Sequence, residues 1–197
     1  TVAGGPYAYT LNTLSAGGNY TLAMATSPAA FTINPATLTY LANTATRQYG
    51  STNPPLSGTV TGYVNGDTAA TAVTGSMTFT SNATGASGVG DYGITGSGLT
   101  ANNGNYVFAQ DTGNATALSV TPRSITVLAN AQSKVYGAAD PALTYTVGGN
   151  GLVNGDTLSG LLSRTAGESV IGGGYAIGQG SVNNINNPNY AISYTGN

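Results

Sequence analysis

Apolar residues alternate with small polar ones in short bursts along this chain. Leu38 and Tyr40, Ile125 and Val127, Tyr175 and Ile177 take every second position, as do the triplets Leu143, Tyr145, Val147 and Tyr190, Ile192, Tyr194. A period of two over so few residues marks strands with one buried face. Gly, Asn and Pro interrupt the bursts, and about five to seven short strands are expected in each repeated unit. No long segment carries a 3.6-residue period, because Gly, Thr and Asn dominate and form helix poorly. The exception follows Asp156, where Leu158, Leu161 and Leu162 share a helical face and Asp156 can act as the N-cap. One helical turn is predicted there.

The bursts belong to a repeat. Asn19-Tyr20 returns as Asn105-Tyr106 and Asn189-Tyr190, Tyr49-Gly50 as Tyr136-Gly137, Asn65-Gly66-Asp67 as Asn154-Gly155-Asp156, and Pro35 as Pro122. These landmarks agree on a period of about 87 residues, far longer than one coil of a β-helix. Residues 1–35 are the C-terminal part of a first repeat, 36–122 a complete second, and 123–197 a third without its last strand. The segment that closes the first repeat, Ala30, Phe31, Thr32, Ile33, Asn34 and Pro35, matches "ALSVTP" at the end of the second and has no match in the third. Either the chain is an excerpt of a longer array or a segment of another molecule fills that place. The expected fold is all-β: tandem small immunoglobulin-like β-sandwich domains in a semi-rigid rod. Units of β-grasp type around one short helix are the alternative, and the scarcity of helix formers favours the sandwich.

Composition narrows the function. Charged residues make up 5% of the 197 residues, against about 25% in ordinary soluble domains. Hydroxyls and amides must therefore carry the surface. The net charge is −2 and the four basic residues, Arg47, Arg123, Lys134 and Arg164, are scattered, which excludes nucleic acid and a polybasic membrane site. No apolar run approaches the roughly 20 residues of a spanning helix, so membrane insertion is not expected. Cysteine is absent, which removes disulfides, thiolate nucleophiles and cysteine metal sites and is compatible with export. The first residues lack a charged start followed by an apolar stretch, so any signal peptide has been removed or lies outside an excerpt.

The third repeat, with "SKVYGAADPALTYTV", "GLVNGDTLSG", "YAIGQGSV" and "NYAISYTG" in that order, resembles the MBG domain of the YGX type. The second, "RQYGSTNPPLSGTVTGYVNGDTAAT", is a more divergent copy with a longer stretch between Asp67 and Tyr92. Domains of this type stand in tandem in large bacterial surface and secreted adhesins, including those of the filamentous haemagglutinin kind. The resemblance implies an extracellular or cell-surface stalk or adhesive array with no enzymatic activity, and no particular receptor.

The residues offer little chemistry. Each Tyr-Gly, Tyr49-Gly50 and Tyr136-Gly137, is read as a bend whose ring covers a core edge, and Pro54, Pro55 and Pro141 as setting the strand that follows. Arg47 and Lys134, at one repeat position, are expected to lie across apolar surface with the charge in water. The Asn-Gly-Asp triplets are read as tight turns; one Asp in each is too few for calcium, so no metal and no cofactor are expected. His is absent, the six acids form no recognisable pair, and the position of Lys134 is Arg in the second repeat. A triad, a carboxylate pair and a lysine base all lack their parts, and an enzyme is not expected. An isopeptide bond could involve only Lys134 and one acid. Asn19, Asn82 and Asn114 match the glycosylation pattern. The expected partners are neighbouring repeats of the same protein, a homopolymer formed by head-to-tail strand exchange with residues 30–35 as donor, or a host or matrix glycan stacked on tyrosines such as Tyr7, Tyr63 or Tyr92.

Overall fold

Alternation becomes burial in two matched strands. In Ala36–Ala42, Leu38 and Tyr40 are buried between outward-facing neighbours, and in Arg123–Ala129 the buried residues are Ile125, Val127 and Ala129. The structure, a computed structural model, describes residues 2–24 and 30–196. β1 (Tyr7–Ala8) and β2 (Ala30–Phe31) belong to the first repeat. The second holds β3 (Ala36–Ala42), β4 (Ala45–Gln48), β5 (Gly58–Thr61), α1 (Ala69–Ala72), β6 (Val73–Thr80), β7 (Gly90–Tyr92), β8 (Thr95–Ala101), β9 (Tyr106–Gln110) and β10 (Leu118–Thr121). The third holds β11 (Arg123–Ala129), β12 (Tyr145–Gly149), β13 (Ser163–Arg164), β14 (Ile177–Gly178) and β15 (Tyr190–Thr195).

The same sheets recur in the second and third repeats. β3 lies between antiparallel β5 and parallel β9, as β11 lies between antiparallel β12 and parallel β15. β6 pairs with β8 as β13 pairs with β14. The second repeat adds a third sheet in which β10 runs parallel to β4 and antiparallel to β7. β1 and β2 reproduce part of it, since Tyr7 faces Phe31 as Tyr92 faces Leu118. The fold is all-β and sandwich-like, and α1 is a single turn. No helix among the described residues is long and apolar enough to cross a membrane.

That turn is not where the leucine pattern placed it. It falls in the second repeat, on Ala-Ala-Thr-Ala, with the Thr71 hydroxyl accepting the Thr68 amide. The matching stretch of the third carries Gly160, which costs about 1 kcal/mol in a helix. Asn187 competes for the same backbone: its amide group accepts from the Ser159 N–H at 2.7 Å and donates to the Ser159 carbonyl at 3.0 Å.

Compactness does not follow the repeat boundaries. One unit comprises Thr1–Asn43, Ser57–Thr80 and Thr95–Asn114, and its core is built on Leu38, Ala72, Val73 and Tyr106. The other comprises Thr44–Leu56, Ser81–Ile94 and Ala115–Asn197, with Tyr49, Val120, Ile125, Val127 and Tyr190 at its centre. The β4-β10-β7 sheet of the second repeat therefore shares its core with the main sheet of the third.

Candidate functional site

The Asn-Gly-Asp turns are built alike. Asn65 and Gly66 stand at φ +57 and +76, Asn154 and Gly155 at +58 and +77, and the amides of Asp67 and Asp156 donate back to Val64 and Val153. Two consecutive left-handed residues make a tight primed turn, for which Asn-Gly is the preferred pair. Each turn is clamped by the tyrosine of the downstream Asn-Tyr motif. Tyr106 accepts the Val64 amide and donates to Asp67 Oδ2 at 2.7 Å; Tyr190 accepts the Val153 amide and donates to Asp156 Oδ2 at 2.6 Å. Burial, with the Asp156 carboxylate beside it, pushes the Tyr190 hydroxyl up to about 12. The Val64 backbone bond draws the Tyr106 hydroxyl downward, but burial and Asp67 outweigh it and the net displacement is upward. The aspartates are thus more than turn residues. Sequence reasoning missed this use, although the joint recurrence of Asn-Gly-Asp and Asn-Tyr is the signal that could have found it.

A second tyrosine reaches one of these carboxylates. Tyr49 donates to Asp156 Oδ2 at 2.9 Å and meets the Tyr190 ring edge-on at 5.6 Å. Gly50, at φ +83, lies against Val153. The tyrosine-glycine signature of the second repeat is therefore latched into the turn of the third. Tyr136 is 73% exposed while Tyr49 is 4% exposed, although Gly137 keeps φ +81. The two tyrosines do not cover equivalent edges: Tyr49 packs in the core of Val120, Ile125, Val127 and Tyr190, while the Tyr136 ring is exposed. Pro141 lines an open cavity beside Tyr136 instead of a closed core.

Arg47 and Lys134 depart from their expected placing. Arg47 is buried, with Nε donating to Asn53 at 2.7 Å and the other nitrogens to the carbonyls of Gln48 and Thr84. Lys134 joins a ring of four charges: its Nζ lies 2.6 Å from Asp140 and 2.7 Å from Glu168, and Arg164 grips both acids while lying over the Tyr175 ring. Asn53 became Asp140 where Arg47 became Lys134, so the same contact passes from amide to carboxylate. Folding brings together two acids that sequence left apart, but the Arg164 and Lys134 hydrogen bonds hold Asp140 down at about 2, and Lys134 and Arg164 lower Glu168. Neither acid is poised to donate a proton near neutrality, and the paired Lys134 is raised. The arrangement suits a salt-bridge clasp, not isopeptide formation, which needs a neutral amine.

The other candidates are committed to packing. Tyr63 meets the Tyr106 ring edge-on, and Tyr92 joins the Tyr49 core while donating to the Gly88 carbonyl; Tyr7 is half-buried and pairs in β1. Asn114 is buried, accepting the Ala42 amide at 2.8 Å and donating to the Tyr40 carbonyl at 2.9 Å, so its nitrogen is closed to glycosylation in the folded chain. Asn19 and Asn82 are exposed. No group of three or more metal-ligating side chains gathers among the described residues.

The charge clasp makes its region acid-sensitive. A carboxylate whose folded value is depressed stabilises the fold above its unfolded value, and the contribution is lost as pH falls through the folded one. For Asp140 the window runs from 3.8 down to about 2. Hydrogen exchange at residues 165–176 should rise across that window while amides around Tyr49 stay protected. Equal protection of both regions at every pH would contradict the assignment.

The pattern of the MBG domain (YGX type) matches residues 38–116 and 125–197. Neither a curated protein nor a solved structure matches the chain.

Proposed function

Since the chain belongs to the MBG domain family of the YGX type, whose repeats are found in surface proteins, we propose that it is a spacing element of an extracellular bacterial adhesin or matrix protein. Its repeats carry an adhesive part away from the cell and do no chemistry on a substrate. The observation that supports this reading most is the latch between successive repeats. Tyr49, Gly50 and Val120 come from one repeat, and Asp156, Val153 and Tyr190 from the next, yet they form one core. A spacer needs junctions that resist separation, and a core shared across the boundary supplies that through burial. Catalysis needs groups held ready to react, whereas the clustered carboxylates here are neutralised by their neighbours.

A distance measurement tests the proposal. With one, two or three copies of the period between a cell-surface anchor and a terminal fluorophore, the separation from the membrane should grow by a constant step per copy. A separation independent of copy number would overturn the spacer reading.

A further inference from the structure

The second repeat is whole, and its first two strands pair with its last two, in each case parallel. β3 opens the repeat at Ala36 and runs beside β9 over five positions, from Ala36 opposite Tyr106 to Tyr40 opposite Gln110. Two further backbone bonds lengthen this ladder: the Ala36 amide donates to the Asn105 carbonyl and the Asp111 amide to the Tyr40 carbonyl, both at 2.9 Å. β4 follows β3 and pairs over four positions with β10, which closes the repeat at Thr121. In the third repeat β11 and β15 keep the parallel arrangement over six positions.

Strand direction decides how the ladder meets a pull. Tension along the chain draws β3 by its N-terminal end and β9 by its C-terminal end. Because the two strands are parallel, those ends lie at opposite ends of the ladder, and the strands are driven to slide past each other. Every rung is then loaded at once. An antiparallel pair would meet the same pull at one end and open rung by rung. Packing opposes sliding as well: a slip of β9 by one residue turns the buried Tyr106 out of the core and breaks the stack of Phe108 on Tyr40, whose rings lie 5.3 Å apart. Asn114 fastens the far end. It lies between β9 and β10, buried, accepting the Ala42 amide at 2.8 Å and donating to the Tyr40 carbonyl at 2.9 Å and to Gln110 Oε1 at 3.1 Å. Tension arriving from the C-terminal side therefore reaches β3 through this side chain before it reaches the ladder.

We infer that the parallel pair of β3 and β9 is a clamp that bears tension along the chain, with Asn114 as the residue that locks its C-terminal end. A spacer sets a distance. A clamp of this kind keeps that distance when the two ends are pulled apart. The inference rests on the spacer reading only for the direction of the load, from one end of the chain to the other.

Single-molecule pulling on the whole chain tests it. The sequence has no cysteine, so a pair of introduced cysteines gives unique attachment points. Thr37→Cys with Thr116→Cys drives β3 and β9 past each other. Thr37→Cys with Val107→Cys peels the same strands apart from one end, since Thr37 and Val107 are register partners. All three side chains are exposed, and circular dichroism checks that each variant keeps its fold. At one constant force the sliding geometry should hold about ten-fold longer than the peeling geometry or more, because five register pairs share the load in the first and one bears it in the second. Added to each pair, Asn114→Ala should shorten the sliding lifetime about ten-fold, for the loss of its bonds to β3, and leave the peeling lifetime within about two-fold, because peeling starts at the other end. Should Asn114→Ala fail to fold, the comparison of the two geometries still decides. Equal lifetimes in the two geometries would overturn the inference, as would an Asn114→Ala variant that shortens both alike. Equal lifetimes with a constant spacing step leave a spacer without a clamp; if sliding outlasts peeling while the step fails, the clamp stands and the spacer reading falls.

Discussion

Asp156→Ala should lower the stability of the compact unit built around Tyr49 by about 2–6 kcal/mol, because two buried hydroxyls lose one shared acceptor, each at about 1–3 kcal/mol. Asp156→Asn keeps an acceptor oxygen without the charge and should cost less. Asp67→Ala should also cost less, since Asp67 serves Tyr106 alone where Asp156 serves two tyrosines. Urea melts read the loss, with an unchanged slope showing that the unfolding transition stays the same. A second readout separates the latch from generic destabilisation. Tyr190 is raised to about 12 first by burial and then by Asp156, so removing the carboxylate should draw its titration downward without restoring the ordinary tyrosine value of 10.0. The sign for stability follows. A raised folded-state value stabilises below the unfolded value and is lost as pH rises through the folded one, here between 10.0 and about 12. The variant should therefore lose part of the wild-type protein's alkaline sensitivity. Unaltered Tyr190 titration in Asp156→Ala would show that the carboxylate is not what the hydroxyl feels.

The twin glycines give the second large effect. Gly50 and Gly137 share a left-handed backbone, so alanine at either costs about 1–2 kcal/mol of strain. Only at Gly50 does a new Cβ meet a neighbour, Val153 Cγ2 at 2.5 Å and Cβ at 2.9 Å; at Gly137 it meets nothing within 4 Å. Gly50→Ala should therefore cost a further 1–3 kcal/mol, roughly, for overpacking. The difference between the two melting temperatures isolates packing from strain. Equal losses would mean that the Tyr49-Gly50 pair is not held against the following repeat.

The period, the all-β class and the alternation in Ala36–Ala42 and Arg123–Ala129 could be read directly, since burial on a pleated sheet follows every second residue. The Asn-Gly turns could be read too, because few residue pairs tolerate two left-handed conformations in succession. Leucine spacing predicts the single helical turn after Asp156, yet it forms at Ala69–Ala72, since Gly160 opposes helix in the third repeat and nothing local announces that Asn187 occupies the backbone of Ser159. Arg47 and Lys134 looked like surface cations because a sequence does not display the Thr84 carbonyl or the Glu168 carboxylate that folding brings to them.

By itself, then, the sequence determined the repeat, its pleated character and the location of its turns, all consequences of side-chain size, branching and backbone freedom over a few neighbouring residues. Only the tertiary structure decided that the Tyr49-Gly50 pair packs against the repeat after its own, and that Tyr49 is buried while Tyr136 is exposed. The reason is distance along the chain. Tyr49 and Asp156 meet across a separation of 107 residues, and local propensity carries no information about which carboxylate such a ring will find.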